Sequence, residues 1–225
     1  AAAPLLGTGG FGLAGAPQIG LVPATGYRSP GRSIRFERVK DLEGGRDGRD
    51  GRAFAAVEPE GVVVLDDPAA AVGRLLDNRG QLVQPRRVAV GATLLLADAL
   101  PRVQIWSRSG APLRSIDLDV APSTERSFPP ADVAASGSRQ YALLGAYSMD
   151  SEFPGRIYAV EDDSLVSRWP VFAVAISAHG DDLATLDAQH QTVSIYHEPT
   201  GLGPSWALDA TGFRSVMDIA LPAQP

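Results

Sequence analysis

The stretch RRVAVGATLLLADALPRVQIWSRSGAPLRSID, Arg86–Asp117, contains four short apolar segments. They are Val88–Val90, Leu94–Ala97, Val103–Trp106 and Leu113–Ile116. Small or turn-forming groups divide them: Gly91-Ala92, Asp98 to Pro101, and Ser107 to Pro112. Each segment is too short for a helix, and β-branched or aromatic residues fill or end most of them, which is how short strands read. The stretch is therefore a four-stranded antiparallel meander, and the rest of the chain reads as imperfect copies of it.

Working upstream, Phe54–Val57, Val62–Leu65, Val72–Leu76 and Gln81–Val83 take the same four places in a copy spanning about 54–85. Downstream, a copy at about 129–170 has strands at Asp132–Ala135, Tyr141–Leu144, Arg156–Val160 and Ser164–Trp169. It carries an insertion, Gly145–Gly155, between its second and third strands. A further copy at about 171–208 uses Phe172–Ser177, Asp182–Leu186, Val193–Tyr196 and Ser205–Leu208, and Ser215–Leu221 repeats the opening strand alone. Opening strands centred on Ala89, Val133, Ala175 and Ile219 recur about every 42–44 residues, the spacing of propeller blades. Aspartates end the second strand at Asp66, Asp98 and Asp187, where a carboxylate caps the amides of the following turn.

Residues 1–33 are rich in Gly, Ala and Pro and read as a loose arm with a short strand at Ile19–Val22. Ser33–Lys40 alternates as one half-exposed edge strand, and Glu43–Arg52 reads as a solvated hairpin loop. The expectation is a single all-β domain over 34–225, a β-propeller of four-stranded blades, about five in number. Strands from the two chain ends close it. Six blades need a degenerate extra blade within 1–53, and a fragment of a longer chain is the third option.

Val88–Gly110, V-A-V-x-x-x-L-L-L-A-D-x-x-x-R-V-Q-I-W-S-R-S-G, resembles an NHL-type β-propeller repeat. Val174–Tyr196 resembles it more weakly, keeping Asp187 and the strand Val193–Tyr196. The resemblance implies a propeller and no particular activity, because the family includes enzymes, sensors and interaction modules. Lactonase relatives of the senescence-marker type hold a divalent metal with Glu, Asp and Asn side chains, whereas the one asparagine here is Asn78, in a turn. Amidating-lyase relatives hold zinc with histidines from several blades, whereas His179, His190 and His197 all fall in one copy.

The residues themselves point the same way. The chain has 225 residues, a net charge of −6 and no cysteine. The charge argues against a duplex nucleic-acid partner, and the missing thiols exclude disulfides, thiolate nucleophiles and Cys-based zinc. No apolar run reaches the ~18 residues that span a bilayer. The start at Ala1-Ala2-Ala3-Pro4 fits a mature exported chain and also a trimmed one, so the expectation leans to a bacterial periplasmic or extracellular protein.

Gly7–Gly12 matches G-x-G-x-x-G formally but lacks the strand, helix and distal acid of a dinucleotide site. His190 and His197 sit at opposite ends of one strand, too far apart to share a metal. The pairs Asp66-Asp67, Asp162-Asp163 and Asp181-Asp182 lie in turns, where adjacent side chains diverge. No catalytic, cofactor or metal residues are assigned. Trp106, Trp169 and Trp206 are expected to pack between blades, or to form a binding platform where one is exposed.

The most functional-looking surface is Gly145–Gly155, which gathers Tyr147, Met149 and Phe153 beside Asp150 and Glu152 in an irregular loop. The function expected is a non-enzymatic scaffold that binds another protein through these residues or forms part of a larger assembly. The alternative is a metal-dependent hydrolase or lyase with its site in the central channel.

Overall fold

The computed structural model describes residues 10–15, 18–23, 33–35, 38–44, 53–58, 61–65, 74–75, 81–118, 129–144, 155–162, 164–187, 190–198 and 200–207. Every regular element among them is a strand. Five antiparallel sheets result, and the chain divides into two compact units, residues 1–100 with 104–114 and residues 101–103 with 115–225.

In the first unit, β1 (Gly10–Gly15), β2 (Gln18–Pro23) and β3 (Ser33–Arg35) form a three-stranded sheet. Next come β4 (Arg38–Gly44), β5 (Ala53–Glu58), β6 (Gly61–Leu65) and β7 (Arg74–Leu75), then β8 (Arg87–Val90), β9 (Leu94–Ala97), β10 (Arg102–Trp106) and β11 (Pro112–Asp117). Each set of four is a meander in chain order, although Arg102 and Val103 of β10 and the end of β11 fall in the second unit.

That second unit holds two more such meanders. One is β12 (Asp132–Ser136), β13 (Arg139–Leu144), β14 (Gly155–Glu161) and β15 (Ser164–Val171). The other is β16 (Ala175–His179), β17 (Asp182–Asp187), β18 (Thr192–His197) and β19 (Gly201–Ala207).

Burial explains why the strands read as short apolar runs and not as alternating patterns. All four residues of β9 are buried, as are all but the first of β10, while five of the six residues of β11 are exposed. In the β8–β11 blade the three inner strands are covered on both faces, which removes the period-2 signal, and the outermost strand meets solvent.

In the first unit Val62 of β6 joins Val88, Val90, Leu94, Leu96 and Trp106 in one core. In the second, Tyr141, Leu143 and Ile157 of one blade pack with Ile176, Ala178 and Leu183 of the next. Burying side chains of this size stabilises by about 1.5–3 kcal/mol each, before the entropy of ordering the chain is counted.

The strands expected in the copies from Arg86 onward are all present, with ends shifted by a few residues at most places. The copy expected at 54–85 differs: its blade opens one strand earlier, at β4. Ser33–Lys40 is not one strand, since Ser33–Arg35 pairs with β2 and Arg38 onward pairs with β5. A bulge obscures β4 in the sequence. Val39 pairs with Val57 and Asp41 with Ala56, so Lys40 is the extra residue and the alternation breaks. Gln81–Val83 is a bent segment and not a strand.

Residues 10–15 and 18–23 form a hairpin where a loose arm with one strand was expected, so Gly10–Gly12 lie inside β1 and not at a strand-to-helix turn. The stretch after Glu43 does join two antiparallel strands, with Gly44 opposite Ala53. The closing strand Ser215–Leu221 lies outside the described residues, as do Val72, Gly73 and Leu76 of the expected third strand of the first copy.

Aspartates at the blade seams add a directional tie. Asp41 Oδ2 accepts the Val88 amide at 2.8 Å, and Asp132 Oδ2 accepts the Ile176 amide at 2.7 Å. Each carboxylate thereby fixes the opening strand of its own blade against the opening strand of the next. Ser136 Oγ accepts the Gly180 amide at 2.7 Å, a second tie between β12 and the blade that follows.

Candidate interaction surface

The loop residues expected to meet a partner, Tyr147, Met149, Asp150, Glu152 and Phe153, lie outside the described residues. What is described is the mount that carries them. Leu144 ends β13 opposite Arg156, and Gly155 begins β14 opposite Val171. Leu144 and Gly155 are both buried. A Cβ on Gly155 would stand 3.3 Å from the Leu144 carbonyl oxygen and 3.4 Å from that of Val171. The absence of a side chain lets three backbones converge where the insertion returns to the sheet.

Val171 leads directly into Phe172, whose ring meets that of His190 edge-on, with centroids 5.4 Å apart. Asp187, ending β17, takes the His190 amide on Oδ1 at 3.0 Å and faces His190 Nδ1 with Oδ2. The strand-end aspartate thus caps its turn as expected, and it also orients an imidazole. Asp98 caps likewise, accepting the Leu100 amide at 2.9 Å. Asp66 lies outside the described residues.

At the other end of these two blades, polar groups are paired to one another. Arg168 bonds Glu198 at 3.0 Å and also pairs with Glu161, while Arg139 pairs with Asp181. The Glu198 carboxylate also neighbours the Tyr141 phenol. Burial and the neighbouring Glu198 carboxylate together push the Tyr141 phenol up to about 12.

A phenol whose folded pKa lies above its ordinary value of 10 stabilises the fold fully below pH 10, and that contribution is lost as pH rises towards 12. Urea titrations of wild type and Tyr141→Phe from pH 8 to 11.5 check this. The wild type should be the more stable by about 1–2 kcal/mol at pH 8. Its additional loss by pH 11.5 should approach about 2 kcal/mol, and the variant should lack it. Parallel pH curves would contradict the assignment.

The histidines are placed as expected in part. His190 precedes β18 and His197 ends it, so they stand at opposite ends of one strand. His179 and His197 both fall in register with Asp182, on neighbouring strands. His197 Nδ1 pairs with Asp182, and His190 pairs with Asp187, so both imidazoles have carboxylate partners as well as solvent. Gly203 is a close approach: a Cβ there would come 2.7 Å from His197 Nε2, so the imidazole lies against a bare backbone. Among the described residues no group of three His, Asp or Glu is arranged to hold a metal ion. Asp181 and Asp182 turn to different partners, Arg139 and His197, as adjacent residues at the start of a strand do.

The tryptophans divide three ways. Trp106 is core, Trp169 is half-buried with its ring 5.1 Å from Tyr196, and Trp206 is 52% exposed on the outermost strand β19. Sequence reasoning missed the polar chain behind Trp106. Its Nε1 donates to Gln104 Oε1 at 2.9 Å, and Gln104 Nε2 donates to Asp98 Oδ2 at 3.2 Å and to the Gln81 carbonyl at 3.0 Å. A glutamine between apolar residues of a buried strand, six positions after the strand-end aspartate, was the available signal.

No protein-family model matches the chain, and no curated protein matches it. Among solved structures it is similar to a chain of a nidogen/laminin complex, with a TM-score of 0.63 and 14% identity, covering 88% of this chain and 75% of that one. The likeness is one of fold. This chain is a β-propeller of four-stranded antiparallel blades.

Proposed function

We propose that this propeller is a non-enzymatic scaffold that binds another protein through Gly145–Gly155, and that its repeats are of the NHL type. The observation carrying the reading is the mount of the insertion. An insertion with three large apolar groups and two carboxylates leaves the sheet at the buried Leu144 and rejoins it at the buried Gly155, whose partner Val171 leads into Phe172 and its contact with His190. Apolar side chains concentrated on a loop with a rigid base are the usual form of a recognition element. The similar solved chain comes from a complex of two proteins, which supports a binding role by analogy of fold. An exported bacterial location belongs to the same proposal, and recovery of the native chain from the periplasm or medium on cell fractionation checks it.

Replacing Gly145–Gly155 by a two-residue Asn-Gly turn tests the assignment. The melting temperature should stay within a few degrees, because the residues removed lie beyond the last paired positions of β13 and at the first of β14. Recovery of the partner with the tagged chain should be lost. Unchanged recovery would overturn the role of the loop. Bound zinc, calcium or magnesium at one ion per chain, or a melting temperature raised by one of them, would overturn the non-enzymatic reading instead.

A further inference from the structure

We infer that the propeller is built of two-blade modules that open as separate cooperative units. The β4–β7 and β8–β11 blades form one, and the β12–β15 and β16–β19 blades form the other. A single position in the opening strand decides the grouping. The same backbone bond marks it in three blades: the Arg86 amide donates to the Ala97 carbonyl at 2.8 Å, Ala131 to that of Leu143 at 2.9 Å, and Val174 to that of Leu186 at 2.8 Å. Arg87, Asp132 and Ala175 are therefore equivalent residues, followed by Val88, Val133 and Ile176.

In all three blades the amide after that position finds a carboxylate, but the source alternates. Val88 donates to Asp41 of the blade before it, at 2.8 Å, and Ile176 to Asp132 of the blade before it, at 2.7 Å. Val133 instead donates to Oδ1 of Asp132, its own chain neighbour, at 2.9 Å. Arg87 has no acceptor atom on its side chain, and Ala175 has no polar side-chain atom at all. Asp132 thus supplies its own blade with one oxygen and the next blade with the other. The carboxylate ties run from β4 to β8 and from β12 to β16.

Apolar packing follows the same grouping. Val62 of β6 is buried with Val88, Leu94 and Trp106, while Tyr141 and Ile157 are buried with Ile176 and Leu183. The two compact units of the chain divide between these pairs of blades, apart from the ends of β10 and β11. Peeling one blade from its partner exposes the shared core and strips a buried amide of its acceptor. The two blades of a pair therefore gain little by opening singly and open together. Gly145–Gly155 leaves and rejoins the second pair, so opening of the first leaves the mount of the insertion intact.

Hydrogen exchange followed by mass spectrometry on the full chain, in urea steps below the melting transition, tests this. In wild type, peptides from β4–β6 and β8–β10 should share one opening free energy, and peptides from β12–β14 and β16–β18 should share another. Asp41→Ala should speed exchange at least about tenfold in the first set and leave the second within about twofold, and Asp132→Ala should do the reverse.

The wild-type series decides by itself where a variant fails to fold. One free energy common to all these strands, or a different one for each blade, would overturn the modules. Either substitution speeding both sets alike would overturn them too.

Discussion

Asp98→Ala is expected to lower the melting temperature by about 10 °C. The carboxylate receives three donors, the amides of Val83 and Leu100 and the Gln104 side-chain amide, in a site 1% exposed to solvent. Truncation removes the acceptor and leaves those donors with little access to water. Leaving one buried group unpaired costs about 1–3 kcal/mol, so the loss should total about 3–5 kcal/mol after some relaxation. For a chain of this length each kcal/mol moves the midpoint by about 2–4 °C. Asp98→Asn retains one acceptor oxygen and turns an NH2 group towards donors, so its loss should be intermediate. Differential scanning calorimetry of the three proteins should give the order wild type, Asn, Ala. A change under about 3 °C in Asp98→Ala would show that water replaces the carboxylate and that the clamp is not a stabilising element.

The second large effect lies at the seam between the β12–β15 and β16–β19 blades. Asp132→Ala should destabilise by about 2–4 kcal/mol, because it orphans the amides of Val133 at 2.9 Å and Ile176 at 2.7 Å. Both amides belong to inner strands whose neighbours are buried on each face, so water cannot easily substitute. Asp181→Ala is the contrast in the same seam. Its pairing with Arg139 is solvent-exposed, at 69% for the aspartate side chain, and should contribute less than about 1 kcal/mol. Urea denaturation of the two variants separates them. Equal losses would mean that burial does not govern these contacts.

The blades are legible in the sequence wherever inner strands are apolar on both faces, as in Leu94–Ala97 and Tyr141–Leu144. The first blade is misplaced because β4, RVKDLEG, is mostly charged and carries a bulge at Lys40 that destroys its alternation. Asp41 itself held the clue. Asp41-Leu42 and Asp132-Val133 both fall in opening strands, and each carboxylate reaches the next blade.

A similar pair of residue types, Asp218-Ile219, occurs in the stretch read as the closing strand. Aligned on these aspartates, and not only on apolar segments, the first blade starts at β4. The turn-capping role of Asp98 and Asp187 was legible because side-chain capping is local. The Asp98–Gln104–Trp106 chain was not, since it depends on which face of a buried strand each side chain takes and on the bent segment Gln81–Val83 that closes it.

The most direct test of the central claim is calorimetric titration of the isolated partner into wild type and into a chain with Tyr147, Met149, Asp150, Glu152 and Phe153 all changed to alanine. Affinity should weaken more than about tenfold with an unchanged melting temperature, since large apolar groups at the centre of an interface carry most of its energy. Equal affinity in the two proteins would contradict it.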